Sequence, residues 1–275
     1  MHNGLRTTVL MTVLIVLFAL VGRAIGGSGG MVLAFVIAVG LNFASYWFSD
    51  KIVLRMYKAS EVGRTEAPEL YDLIDRLRQN AGLPMPKLYV IPSEQPNAFA
   101  TGRNPEHSAV AVTNGIVKML GRDELEGVIA HELAHIQNRD ILTSSIAATL
   151  AAAIIMIARF AFFFGGDRRD NIVGTLLMLI LAPIAAFLIQ MAISRAREFA
   201  ADRDGAKICG KPRSLASALA RLQQGAERIP MEANPSTAHM FIVNPFAGAR
   251  GGIRSLFSTH PPTEERIRRL TEMAL

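Results

Sequence analysis

Four long apolar runs constrain this chain more than any other feature. Leu5 to Ile25 is interrupted only by Arg6 and Arg23 near its ends, while Met31 to Ser49, Ile141 to Ala158 and Asn171 to Ser194 carry no charge. Each is close to the roughly 20 residues that an α-helix needs to cross the hydrocarbon core of a bilayer. The stretch between the second and third runs, and the one after the fourth, are long and polar, so the expected molecule is part membrane and part aqueous. Composition agrees: 51% hydrophobic with 19% charged residues is too apolar for an average soluble domain and too charged for a chain lying wholly in lipid. A cleaved signal peptide competes as a reading of the first run. It is weakened by the lack of a small-x-small cleavage site and by the second run close behind. Arg159, beside "FAFFF" at the end of the third run, can snorkel to an interface.

Orientation follows from the flanks. Lys51, Arg55, Lys58 and Arg64 follow the second run and Arg195, Arg197 and Arg203 the fourth, whereas the short connections hold Arg23 and "GGDRRDN". The positive-inside rule then places both long polar segments and both termini in the cytoplasm, with Tyr46 and Trp47 as interfacial anchors. It also accounts for the net charge of +6 without a nucleic-acid partner. The expected organisation is a membrane hairpin over 1–50, an aqueous segment over 51–140, a second hairpin over 141–194 and a second aqueous segment over 195–275. The single cysteine, Cys209, can form no intramolecular disulfide and is expected to be a buried, inert thiol.

Within the aqueous segments, "TEAPELYDLIDRLRQNAGLP" predicts a helix with Leu70, Leu73, Ile74 and Leu77 on one face. "KLYVI", "NAFATG" and "AVAVT" predict a small sheet, the last two as a hairpin around "RNPEH". Asp123 and Glu126 are spaced as a capping box, opening a helix that runs through "HELAHIQN" and on or bent into the third run. Two further helices follow the fourth run, Ile229 to Thr259 predicts loop, and "THPPTEERIRRLTEMA" closes the chain as a helix with Thr263 as its cap and Ile267 and Leu270 inward.

The stretch "HELAHIQNRD" carries the chemistry. Residues four apart share a helix face, so His131 and His135 can turn ring nitrogens to one metal ion while Glu132 reaches a water beside it. Zinc lowers the pKa of bound water from about 16 toward 7, and a glutamate can then accept its proton. The competing reading is a solvated helix face with two histidines. A catalytic zinc needs a third protein ligand. His2, His107, His239 and His260 are poorly placed, and Glu198 in "SRAREFAADRDGA" is the acidic candidate, because a membrane hairpin returns the chain to the side it left. Its alternative role is an ion pair with Arg195 or Arg203.

The motifs "NAFATG", "HELAHIQNRD", "REFAADRDGA" and "THPPTEERI", in that chain order and with the match covering essentially the whole chain, resemble the membrane-bound zinc metallopeptidases of the HtpX heat-shock type, relatives of the CAAX prenyl endopeptidases. The resemblance implies a mainly α integral membrane protein with four transmembrane helices and a cytoplasmic zincin-like α+β domain. It also implies one Zn2+ held by His131, His135 and Glu198, with Glu132 as general base and then acid. Asp202 would orient a ligand by accepting its free ring N–H. Asp140 is a weaker candidate for that task, since it could instead cap or pair with Arg139. Asn97, Ala98 and Phe99 would form the edge onto which a peptide adds as a strand, and His260 would stabilise the oxyanion. A plain core strand and a helix-preceding histidine are the competing readings of those last two. The implied protein is a multi-pass enzyme of the bacterial cytoplasmic (inner) membrane, with the lipid bilayer and membrane or misfolded proteins as its partners. A nonenzymatic scaffold stapled by zinc is the rival from another class. Structural zinc sites usually have four ligands, commonly with cysteine, which disfavours it here.

Overall fold

The computed structural model describes residues 3–164, 195–228, 240–242 and 261–274. Helix α1, Asn3–Met56, is broken at Gly26 and Gly27, and Gly27 has φ 60° and ψ −146°, a conformation open to glycine. There the chain reverses. Asn42 Nδ2 donates to the Met11 carbonyl at 3.0 Å, and a Cβ on Gly22 or on Gly30 would overlap the other's carbonyl oxygen, so the two arms lie side by side as a tight hairpin. Val9, Val13, Val16 and Leu20 on the first arm, and Val32, Phe35, Val36, Val39 and Phe43 on the second, are exposed, while Leu10, Leu14 and Ala38 are buried between them. Among the described residues Gly26–Met56 is the one helix long and apolar enough to cross a membrane, and Thr7–Leu20 is shorter.

The third apolar run differs from expectation in its surroundings. It forms helix α5, Ile141–Phe164, but its first turns are enclosed by protein: Ile146, Ala147, Ala148 and Leu150 are buried, and small hydroxyls lock it to its neighbours. Thr143 pairs with Thr7 of α1 at 3.0 Å, and Ser145 with Thr101 at 2.7 Å. The fourth run, Asn171 to Ser194, lies outside the described residues, as do His239 and His260 and all of the 229–259 stretch except Met240, Phe241 and Ile242.

The sheet has four strands: β1, Ser60–Glu61; β2, Lys87–Ile91; β3, Ala98–Asn104; and β4, His107–Thr113. Their order is β1-β2-β4-β3, with β2 parallel to β4 and the other pairs antiparallel. The expected hairpin is β3–β4, and β1 is too short to read from sequence. Strand β3 stands at the edge. Thr113 N donates to the Asn97 carbonyl and Ala100 N donates away from β4, so the edge groups alternate, with those of residue 100 pointing outward.

Helices α3, Asn114–Met119, and α4, Arg122–Gln137, pack against this sheet, and α2, Pro68–Asn80, packs against α4. The face predicted for α2 is the one buried, through Leu73, Ile74 and Leu77, each contributing about 1.5–3 kcal/mol of apolar burial. The capping prediction for α4 is corrected. Glu124 reaches back to accept from Gly121 N–H at 2.8 Å, while Asp123 and Glu126 instead bind Lys211 at 2.7 and 3.0 Å. After α4, Arg139 takes φ 57° and α5 starts afresh at Ile141, so the chain bends rather than continuing. Of three later helices, α6, Arg195–Cys209, and α7, Pro212–Arg228, pack on α4, and α8, Thr263–Thr271, packs on those two. Pro262, not Thr263, occupies the N-cap position of α8, and Ile267 is only partly buried beside the buried Leu270. Cys209 is half-buried rather than enclosed, its thiol pushed up by burial and therefore protonated at neutral pH.

Candidate metal centre

Helix α4 is almost wholly internal, with every residue from Leu125 to Ala134 buried. It can be crossed closely because glycines meet it or lie on it. A Cβ at Gly205 would stand 2.8 Å from His131 Cα and N, and one at Gly127 would stand 2.9 Å from Leu215 Cα. The first of these crossings brings α6 against the histidine helix and sets Glu198 opposite the rings.

One ligand atom each from His131, His135 and Glu198 lies within 4.8 Å of the others. The two Nε2 atoms are 3.2 Å apart, and Glu198 carboxylate oxygens lie 3.9 Å from His131 Nε2 and 3.6 Å from His135 Nε2. On the far side of each ring stands another carboxylate. Asp202 Oδ1 is 3.0 Å from His131 Nδ1, close but bent away from an ideal hydrogen-bond line, and Asp140 Oδ2 is 3.3 Å from His135 Nδ1. With the Nδ1 protons turned to those carboxylates, both Nε2 lone pairs face one point that Glu198 also faces. Two imidazole nitrogens and a carboxylate converging in a buried space need a cation among them, either a proton held at His135 or a metal ion in its place, and this donor set fits a metal ion. Asp140 stands beside His135, with Arg197 Nη1 3.7 Å from its other oxygen.

Glu132 points into the same small cleft, whose walls are Phe99, Ala100, Ser144 and Met240–Ile242. Burial pushes its carboxyl up to about 7, against the pull of His135 and of the Ala100 N–H, which donates to Oε2 at 2.8 Å. A carboxyl near neutrality is suited to accepting and returning a proton. Burial also depresses His131, the largest influence on it, whereas at His135 the hydrogen bond with Asp140 and the charges of Glu198 and Glu132 outweigh burial and push it up to about 9.

The family model for peptidase family M48 matches residues 64–274, so that both histidines, Glu198 and the C-terminal helix fall inside it. The chain belongs to peptidase family M48. Curated relatives agree over the full length. A protease HtpX homolog of Salinibacter ruber is 67% identical over 99% of this chain and 98% of its own, and one of Persephonella marina is 56% identical over 100% and 98%. The crystal structure of S. mikatae Ste24p shares the fold, with a TM-score of 0.51 at 20% identity over 93% of this chain and 62% of that one. This M48 chain is thus a peptide hydrolase of the HtpX metalloprotease type, mostly helical with a small mixed sheet.

Of the remaining expected site residues, Asn97 is buried at the head of β3. Its backbone N–H donates to Thr113 Oγ1 at 2.9 Å, and its Oδ1 accepts from Ile242 N at 3.4 Å. Ala98 follows it on the edge strand, and Phe99 packs with Val53, Leu54 and Met240. Arg266 escaped the sequence reading altogether. It is 1% exposed and binds Asp202 through Nε at 2.8 Å and Nη2 at 2.7 Å, holding that carboxyl down to about 2 against the burial that would raise it. The available signal was its position four residues before the inward Leu270, hidden among the neighbouring arginines of "ERIRRL".

Proposed function

We propose that this chain is a multi-pass zinc endopeptidase of the bacterial inner membrane that cuts membrane or misfolded proteins at the cytoplasmic face. The observation that carries the reading is the convergence of His131, His135 and Glu198 beside Glu132, in a cleft walled by an edge strand. No fourth His, Cys, Asp or Glu joins that group among the described residues, which favours an open catalytic site over the zinc-stapled scaffold. The apolar stripes on both arms of the α1 hairpin suit contact with lipid. The lysines and arginines after Met31–Ser49 and after Asn171–Ser194 support four spans, cytoplasmic termini, and the division into hairpins at 1–50 and 141–194 with aqueous segments at 51–140 and 195–275.

One zinc ion per chain, held by His131, His135 and Glu198, supplies Lewis acidity and acidifies water at the site. Glu132 takes a proton from the attacking water and returns it to the departing amide nitrogen. Asp202 and Asp140 hold the histidine rings in the tautomer that leaves Nε2 free to ligate. A peptide adds along β3, from Asn97 through Ala98 and Phe99, by backbone hydrogen bonds that read shape rather than sequence. His260 donates to the oxyanion.

The test is cleavage of a loosely folded protein by the detergent-solubilised chain, with metal content measured in parallel. Glu132→Gln should keep zinc and lose cleavage, and Glu198→Ala should lose zinc. Turnover retained in Glu132→Gln would overturn the mechanism. Accessibility labelling of single cysteines in Cys209→Ser vesicles tests the topology.

A further inference from the structure

Arg266 on α8 is buried in a place where its charge cannot be shed, since a guanidinium stays protonated in proteins. Its partners are therefore informative. Nε and Nη2 grip the two oxygens of Asp202 at 2.8 and 2.7 Å. Nη1 donates to the Ile242 carbonyl at 2.7 Å and lies 3.8 Å from Glu198 Oε2. Asp202 is the carboxylate beside His131 Nδ1, and Ile242 N–H donates in turn to Asn97 Oδ1. An unbroken line of polar contacts thus runs from a ring of the metal group, through Arg266, to the wall of the cleft and the head of the edge strand.

We infer that Arg266 is a positioning residue that sets the metal-ligand geometry and the shape of the peptide cleft together, by holding Asp202 against His131 and Ile242 along the cleft. The inference rests on the metallopeptidase reading for what the site binds. A planar fork is required for this task, because two parallel bonds must go to one carboxylate while a third goes elsewhere. A lysine in its place keeps the charge but, as a point charge drawn to Asp202, releases the Ile242 carbonyl. The two duties of Arg266 are therefore separable by substitution.

The experiment uses the full chain in detergent, comparing Arg266→Lys, Arg266→Gln and Leu270→Ala, the last a packing change on the same helix. Zinc affinity is read by chelator competition, ligand geometry by the absorption spectrum of the cobalt-loaded protein, and the cleft by KM and kcat on an unfolded protein substrate. Arg266→Gln is expected to weaken zinc by about 10- to 100-fold and to alter the cobalt spectrum. Arg266→Lys is expected to keep zinc and to raise KM with kcat largely retained. Leu270→Ala should lower Tm while leaving zinc affinity, spectrum and KM unchanged. An Arg266→Gln protein that differs from wild type only in Tm, as Leu270→Ala does, overturns the inference. Should Arg266→Gln fail to fold, Arg266→Lys decides: a raised KM supports the assignment and a wild-type KM overturns it. If the wild type itself cleaves nothing, the peptidase reading fails separately, while zinc affinity and the cobalt spectrum still judge Arg266.

Discussion

Gly205 passes the backbone of His131 so closely that a side chain at 205 would stand 2.8 Å from His131 Cα and N. The crossing carries the third candidate ligand, because Glu198 lies two turns earlier on the same helix as Gly205. Gly205→Ala should push α6 off α4, costing about 1–3 kcal/mol as overpacking does and weakening zinc binding more than its stability loss explains. Thermal unfolding with and without a chelator separates the two effects.

Gly22 and Gly30 make the corresponding contact in the N-terminal hairpin. Gly30→Val should part the arms and break the Asn42 to Met11 hydrogen bond, lowering Tm in detergent while the purified protein still binds zinc.

Asp202 and Arg266 form a buried pair whose loss depends on pH. The Asp202 carboxyl is lowered from 3.8 to about 2, so its contribution is fully present above about pH 4 and is lost as the pH falls toward 2. That shift corresponds to about 2 kcal/mol. Asp202→Asn removes the bidentate partner and leaves the guanidinium with only the more distant Glu198 carboxylate, which should cost up to about 3–5 kcal/mol at pH 7, a deficit that narrows as wild type is acidified. Denaturant unfolding across that range checks both.

The Ala100 N–H is aimed at Glu132 and away from β4, a position where an edge strand tolerates proline. Ala100→Pro removes a donor that lowers the Glu132 pKa. The acidic limb of kcat/KM against pH, which requires the carboxylate, should move to higher pH, with folding preserved by circular dichroism.

Asp140 faces His135 at 3.3 Å. Asp140→Asn is expected to weaken zinc by about 10- to 100-fold without removing a ligand, measurable by dialysis against a metal buffer. Restored cleavage at high zinc would separate weakened binding from lost catalysis.

The elements and the chemistry of α4 were legible in the sequence because they are local. Spacing of four puts His131 and His135 on one face whatever surrounds them, short β-type runs about the Asn-Pro turn mark β3 and β4, and uninterrupted apolar length marks the α1 arms. Partner choice was not local. Glu126, spaced from Asp123 as in a capping box, is bound by Lys211, 85 residues along the chain. Whether Glu198 pairs with an arginine or faces the histidines turns on the glycine crossing at 205. The first turns of α5 read as lipid-facing but meet Thr7 and Thr101, because a bare apolar run does not say whether lipid or protein will cover it. Arg266 reads as one more solvated charge on a basic helix until Asp202, 64 residues earlier, is brought to it. Local pattern specifies most of the helices and strands, β1 and α3 excepted, and which side chains could bind a metal. Tertiary structure alone decided which charges are buried and with whom, because desolvation and pairing depend on distances that chain closure sets and no local periodicity encodes.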